Sequence, residues 1–205
     1  MGEAKQKATN EKKSAALRIA DFLFDFVETF AIAIFAVLLI FTFFFRLCEV
    51  DGASMENTLY NEQKLILSSF AYTPEQDDIV VFHLTQEGYE KNLVKRVIAT
   101  GGQEVKIDFN TGEITVDGVL YEDTHATLKN PYSGNLTGSY SLFAQHHYDS
   151  ATNTFFATVP EGSVFVMGDN RNNSKDSRST DVSFVDERCI LGKAILRLSP
   201  FTLFQ

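Results

Sequence analysis

The chain has no tryptophan, only two cysteines and only four histidines in 205 residues. Cys48 and Cys189 are too few for a disulfide framework or a zinc cage, and unpaired burial is the simpler expectation for both. His83, His125, His146 and His147 stand outside any metal-ligand spacing, and neither H-E-x-x-H nor C-x-x-C occurs. No metal and no cofactor is therefore expected. Positive charge is also scarce: residues 47–205 carry 12 basic against 22 acidic side chains, a balance of −10. Nucleic acid demands a basic footprint, so it is excluded as a partner.

Phenylalanine is abundant, with 19 residues, and many of them crowd an early apolar run. Residues 29–45 read TFAIAIFAVLLIFTFFF, 17 positions without a charge. A helix needs about 20 mostly apolar residues to cross a bilayer, and extension back through Phe24 reaches that length. A buried soluble helix is the alternative, but the run is apolar on all sides. A cleaved leader is another, but no small-x-small pattern follows; the run ends Phe44-Phe45-Arg46-Leu47-Cys48. The reading is an uncleaved signal-anchor over 21–46 that follows a tail over 1–20. That tail carries Lys5, Lys7, Lys12, Lys13 and Arg18 against Glu3 and Glu11. The positive-inside bias then places 1–20 in the cytoplasm and 47–205 outside the cell membrane.

Beyond residue 47 the pattern changes to short strands separated by turns. Ile79–Phe82, Asn92–Ile98, Val105–Phe109, Ile114–Val116, Val119–Tyr121, Ser163–Met167 and Ala194–Leu198 read as strands. The fold class expected is mostly β: an antiparallel sandwich or barrel-like domain with one N-terminal transmembrane helix. Residues 122–157 are rich in Ser, Thr, Asn, Tyr and His. They read as a long excursion from the β-core, and their role is open.

Three segments carry candidate chemistry. Ser54, in Asp51-Gly52-Ala53-Ser54-Met55, lies nine residues past Phe45. That tether spans at most about 30 Å, which keeps Ser54 near the membrane surface. In Leu93-Val94-Lys95-Arg96-Val97-Ile98 two adjacent cations face opposite sides of an apolar strand. A charged edge strand accounts for this. So does a partly buried cation, and of the two only lysine can respond by losing its proton. The stretch from Gly168 to Arg178 runs from a strand into a Gly-Asp-Asn turn with Asp169, Arg171, Ser174, Asp176, Ser177 and Arg178 at tight spacing. Such a loop is either a solvated turn or one ordered by its own ion pairs.

At these segments the chain resembles the signal peptidase I family. Ser54-Met55 with Thr58-Leu59 is similar to the family's nucleophile segment, and Lys95-Arg96-Val97-Ile98 to its general-base segment. Gly168–Arg178 fits G-D-N-R-x-x-S-x-D-S-R at every specified position, and Asp78–Phe82 and Gly192-Lys193-Ala194 fit two further segments. The resemblance implies a membrane-bound serine endopeptidase. Ser54 would be the nucleophile and Lys95 a neutral general base. Ser174 would orient Lys95, and Arg96–Asp169 and Asp176–Arg178 would be supporting ion pairs. The Ser54 N–H would contribute to the oxyanion hole. It further implies secretory preproteins with a small-x-small cleavage site as substrates and the lipid bilayer as the other partner. Met55 is a candidate for lining a substrate pocket. Three places depart from the family: Asn57 stands where many members have proline, Thr100-Gly101-Gly102-Gln103 replaces a common Leu-Pro-Gly-Asp, and Gly52 replaces a hydroxyl residue found in one branch. A non-catalytic membrane-tethered β module, or a different Ser–Lys protease, would share parts of this pattern.

Overall fold

The computed structural model describes residues 2–70, 72–86, 89–126 and 148–204. The chain divides into two compact units at Phe44. The first is a single helix, α1 (Gly2–Phe44). Its stretch Phe22–Phe44, 23 residues long, is long and apolar enough to cross a membrane by length and composition. Phe22, Phe24, Phe26, Phe30, Phe35 and Phe43 are all at least 60 % exposed, so the apolar surface of this stretch has no protein core to enter. The helix stops two residues before the expected boundary. Phe45 and Arg46 already belong to a strand, where consecutive side chains alternate between faces.

Among the described residues the second unit has thirteen strands, all paired antiparallel. One sheet holds β1 (Phe45–Glu49), β2 (Lys64–Ser68), β3 (Ile79–Gln86), β4 (Tyr89–Thr100), β10 (Ser163–Met167), β11 (Val185–Asp186), β12 (Ile190–Leu198) and β13 (Phe201–Leu203). Its order is β1-β2-β12-β3-β4-β10-β11, and β13 pairs with β12. The other holds β5 (Glu104–Asp108), β6 (Ile114–Val116), β7 (Val119–Leu120), β8 (Tyr148–Asp149) and β9 (Thr154–Thr158), in the order β7-β6-β5-β9-β8.

The large sheet is covered on both faces, which explains the continuous apolar run of β3. Ile79 and Val81 pack with Val50, Met55, Leu59, Leu65 and Leu67, whereas Val80 and Phe82 pack with Val97, Val164 and Val166. A third core joins the sheets through Ile98 and Ala99 at the end of β4, Val105 and Ile107 of β5, Phe155 of β9 and Phe165 of β10.

The fold is the mostly antiparallel β class that the strand pattern predicts. The excursion expected over 122–157 is shorter, because Tyr148–Asp149 and Thr154–Thr158 are strands of the smaller sheet. Phe155 and Ala157 enter the core while Phe156 faces out at 44 % exposure. That alternation was hidden inside a polar stretch. Residues 127–147, including His146, His147 and the triplet beginning at Asn135, lie outside the described residues. Cys48 and Cys189 are both free thiols, Cys48 half-buried and Cys189 exposed.

Candidate active site

Lys95 sits in the middle of β4, where Val80 of β3 lies directly opposite and Leu93 and Val97 share its face. It is only 2 % exposed. Its Nζ lies 2.7 Å from Ser54 Oγ and 2.9 Å from the Val94 carbonyl oxygen. Loss of hydration pushes its pKa down to about 8. The Asp176 carboxylate opposes that shift, Arg178 adds to it, Asp169 opposes it and Lys91 adds to it.

Ser54 is brought to Lys95 by a short turn with buried ends. Val50 is tied to the following segment by Val50 N–H to Gln63 O (2.8 Å) and Glu62 N–H to Val50 O (2.8 Å). Within the turn, Thr58 N–H and Leu59 N–H both donate to the Met55 carbonyl, at 3.0 and 2.7 Å. Met55 and Leu59 are 1 % and 0 % exposed and anchor the turn in the core. Met55 thus supplies one of the turn's two apolar anchors. Asn57 has φ +84°, a left-handed conformation that asparagine tolerates and proline, fixed near −65°, cannot adopt. The departure from proline at 57 has this physical reason. The Ser54 N–H makes no hydrogen bond among the described residues, while the Gly52 N–H donates to Asn61 Oδ1 at 2.8 Å.

The 168–178 loop begins where β10 ends, because Met167 is paired with Arg96 of β4. Arg96 Nε and Nη2 donate to the two carboxylate oxygens of Asp169 at 2.9 and 2.7 Å, and both residues are buried. Arg178 makes the same two-pronged contact with Asp176 at 2.8 and 2.7 Å and also donates to the Arg171 carbonyl at 2.9 Å. Complete burial, the largest influence, would raise the Asp176 carboxyl, and the Arg178 charge opposes it. Hydrogen bonds from Arg178, Gly168 N–H and Ser174 help hold the group below its ordinary value. The loop reaches the Ser54 turn directly: Asn170 N–H donates to Ser54 O at 3.0 Å, and Asn170 Nδ2 donates to Ala53 O at 3.0 Å.

Gly168 lies where these parts converge. A Cβ there would come within 2.2 Å of Ser174 Oγ and 2.4 Å of the Ser54 carbonyl oxygen, so only glycine fits. Ser174 is buried against this glycine.

Further contacts join these segments to one another and to parts of the chain outside them. Thr58 Oγ1 donates to Asp169 Oδ2 at 2.5 Å and links the Ser54 turn to the Arg96 pair. Arg96 Nη1 donates to the Asp77 carbonyl at 2.8 Å, and the Asp77 carboxylate accepts the Tyr121 hydroxyl. Arg171, 1 % exposed, donates from Nε to Gly168 O at 3.1 Å and forms an ion pair with Asp123. Thr58 lies in the segment already recognised; Asp77 and Tyr121 come from parts of the chain that only folding brings together.

A hydroxyl and a buried amine of lowered pKa in direct contact, beside backbone N–H groups, are equipped for acyl transfer. A family model described as "Signal peptidase, peptidase S26" matches residues 23–199. The chain belongs to this signal peptidase family. It is therefore a serine endopeptidase, a hydrolase that processes signal peptides. It is 31 % identical to signal peptidase I of Bacillus licheniformis over 203 residues, covering 96 % of this chain and 95 % of that one. It is 27 % identical to signal peptidase IB of Staphylococcus aureus over 188 residues, covering 89 % of this chain and 93 % of that one. Among solved structures, a signal peptidase I from Enterococcus faecalis V583 aligns at 25 % identity and TM-score 0.38, covering 60 % of this chain and 97 % of that one.

Proposed function

We propose that the signal peptidase activity runs on a Ser54–Lys95 pair. The observation that carries this reading is the 2.7 Å contact between Lys95 Nζ and Ser54 Oγ, made by a lysine 2 % exposed. A lysine of ordinary pKa is protonated at neutral pH and cannot accept a proton; one pushed down to about 8 is partly neutral there. Neutral Lys95 takes the Ser54 proton as Oγ attacks the scissile carbonyl carbon. The resulting ammonium then protonates the leaving amine as the C–N bond breaks, leaving an acyl-enzyme. A water, deprotonated by Lys95, releases the acyl group and restores Ser54. The free Ser54 N–H serves as one donor to the oxyanion. Since the Gly52 N–H is taken by Asn61, the second donor is another backbone group or a water.

Ser174, Arg96, Asp169, Asp176 and Arg178 act as positioning groups, with Ser174 orienting Lys95. The substrates are secretory preproteins cut after a small-x-small site, as the resemblance implies. Phe22–Phe44 tethers the enzyme to the bilayer, with the basic N-terminal segment in the cytoplasm and the β unit outside. The test uses the full chain in detergent with a preprotein substrate. Ser54→Ala, Lys95→Ala and Lys95→Arg should each abolish cleavage; the arginine remains protonated at any accessible pH. Cleavage that survives either alanine substitution at a rate near that of the parent enzyme overturns the pair.

A further inference from the structure

Arg197, in β12, is half-buried and far in sequence from every segment of the site. Three of its N–H groups are used. Nε donates to Pro200 O at 3.0 Å and Nη2 to Thr202 Oγ1 at 2.7 Å, both within the β12–β13 hairpin, where Arg197 faces Thr202. Nη1 leaves the hairpin and donates to the Thr58 carbonyl at 2.7 Å. Among the described residues the guanidinium has no carboxylate partner, so all three of its hydrogen bonds end on neutral oxygens. A surface arginine that only balanced charge would not be bound in this way.

Thr58 is held from two directions. Its carbonyl takes Arg197, and its hydroxyl donates to Asp169 Oδ2, the same oxygen that accepts Arg96 Nη2. Thr58 also lies one turn from Ser54, through its N–H bond to Met55 O. The contacts therefore run without a break from the hairpin to Thr58, to Asp169, to Arg96 and so to the strand that carries Lys95.

We propose that Arg197 is a positioning residue for the reaction: it fixes the Thr58 peptide, and thereby holds Ser54 Oγ at reacting distance from Lys95. This rests on the Ser54–Lys95 reading above. Met55 and Leu59 keep the turn in the core without Arg197, so the fold should survive its loss. The register of Ser54 should not, and a displacement near 1 Å is enough to cost about 100-fold in rate.

The test compares Arg197→Ala, Arg197→Gln and Arg197→Lys in the full chain in detergent, with preprotein as substrate and the melting temperature measured alongside. Arg197→Ala should lower kcat about 10- to 100-fold while KM stays within about twofold. Arg197→Lys, whose ammonium can still donate to the Thr58 carbonyl, should recover kcat to within about fivefold of the parent. If Arg197→Ala fails to fold, Arg197→Gln, which keeps a shorter N–H donor and the start of the stem, takes its place with the same expectation. Combining Arg197→Ala with Thr58→Val should cost less than the product of the single losses, because both act on one peptide. A parent-like kcat in the folded Ala or Gln variant overturns the proposal. So does a loss confined to KM, or one that lysine does not recover. Ser54→Ala and Lys95→Ala run in parallel separate this from failure of the pair: if they retain activity the pair is wrong, whereas if they are dead and folded Arg197→Ala is not impaired, only the positioning role is wrong.

Discussion

At the scale of single residues, Lys95, the proposed general base, ties activity to stability. Its folded pKa of about 8 lies below the ordinary 10.5, so the unfolded chain binds the proton more readily. Two predictions follow from that sign. The pH profile of kcat/KM should rise through an apparent pKa near 8 and flatten above it, which initial rates on a preprotein between pH 6 and 10 would measure. Burial of this side chain should also destabilise the fold wherever the unfolded lysine is charged. Lys95→Met, which keeps the length and removes the titration, should then be inactive yet more stable by up to about 3 kcal/mol at neutral pH. That difference should shrink between about pH 8 and 10.5, and denaturant melts at pH 7 and pH 10 measure it directly. A gain that stays the same at both pH values would show that the lysine's charge is not the cause.

At the scale of elements, the 168–178 loop is held to β4 by the buried Arg96–Asp169 pair, braced internally by the buried Arg178–Asp176 pair, and tied to the Ser54 turn by Asn170. Breaking one partner of such a pair leaves an uncompensated charge, which costs about 3–5 kcal/mol. Asp176→Asn strands Arg178 in this way and should lower the melting temperature by about 10 °C, as calorimetry or near-UV circular dichroism would record. Much of this element was legible in the sequence, because the chemistry of the loop lies in consecutive residues: Asp169, Asp176 and Arg178 meet partners in their own loop or on a recognisable strand. Some of the strands that escaped notice lack a clean period. Lys64–Ser68 has three apolar residues in a row, and only Leu65 and Leu67 enter the core. Phe201–Leu203 is three residues long and leaves Phe201 and Leu203 about 70 % exposed, so no burial pattern marks it. Thr58, Asp77, Tyr121 and Arg197 were equally hidden, since their hydrogen bonds join positions that nothing local connects.

At the scale of the whole molecule, the chain is two units of opposite character: a helix with an apolar surface and an acidic β unit with cores of its own. A chain cut at Phe44 should therefore fold, stay in the aqueous phase of a detergent phase separation and still cut a short peptide. The full chain should enter the detergent phase and process membrane-presented preproteins faster. Phase partition and the two rates check this, and a truncated chain that remains in the detergent phase would show that Phe22–Phe44 is not what binds lipid. The left-handed turn at Asn57 also limits how the chain can be redesigned. A redesign that wrote proline there, the residue that the family resemblance implies for many members, would set it against a backbone at φ +84°. Substitution toward family residues, ordinarily a stabilising recipe, would then unseat the turn that carries Ser54, so position 57 has to be exempted from it.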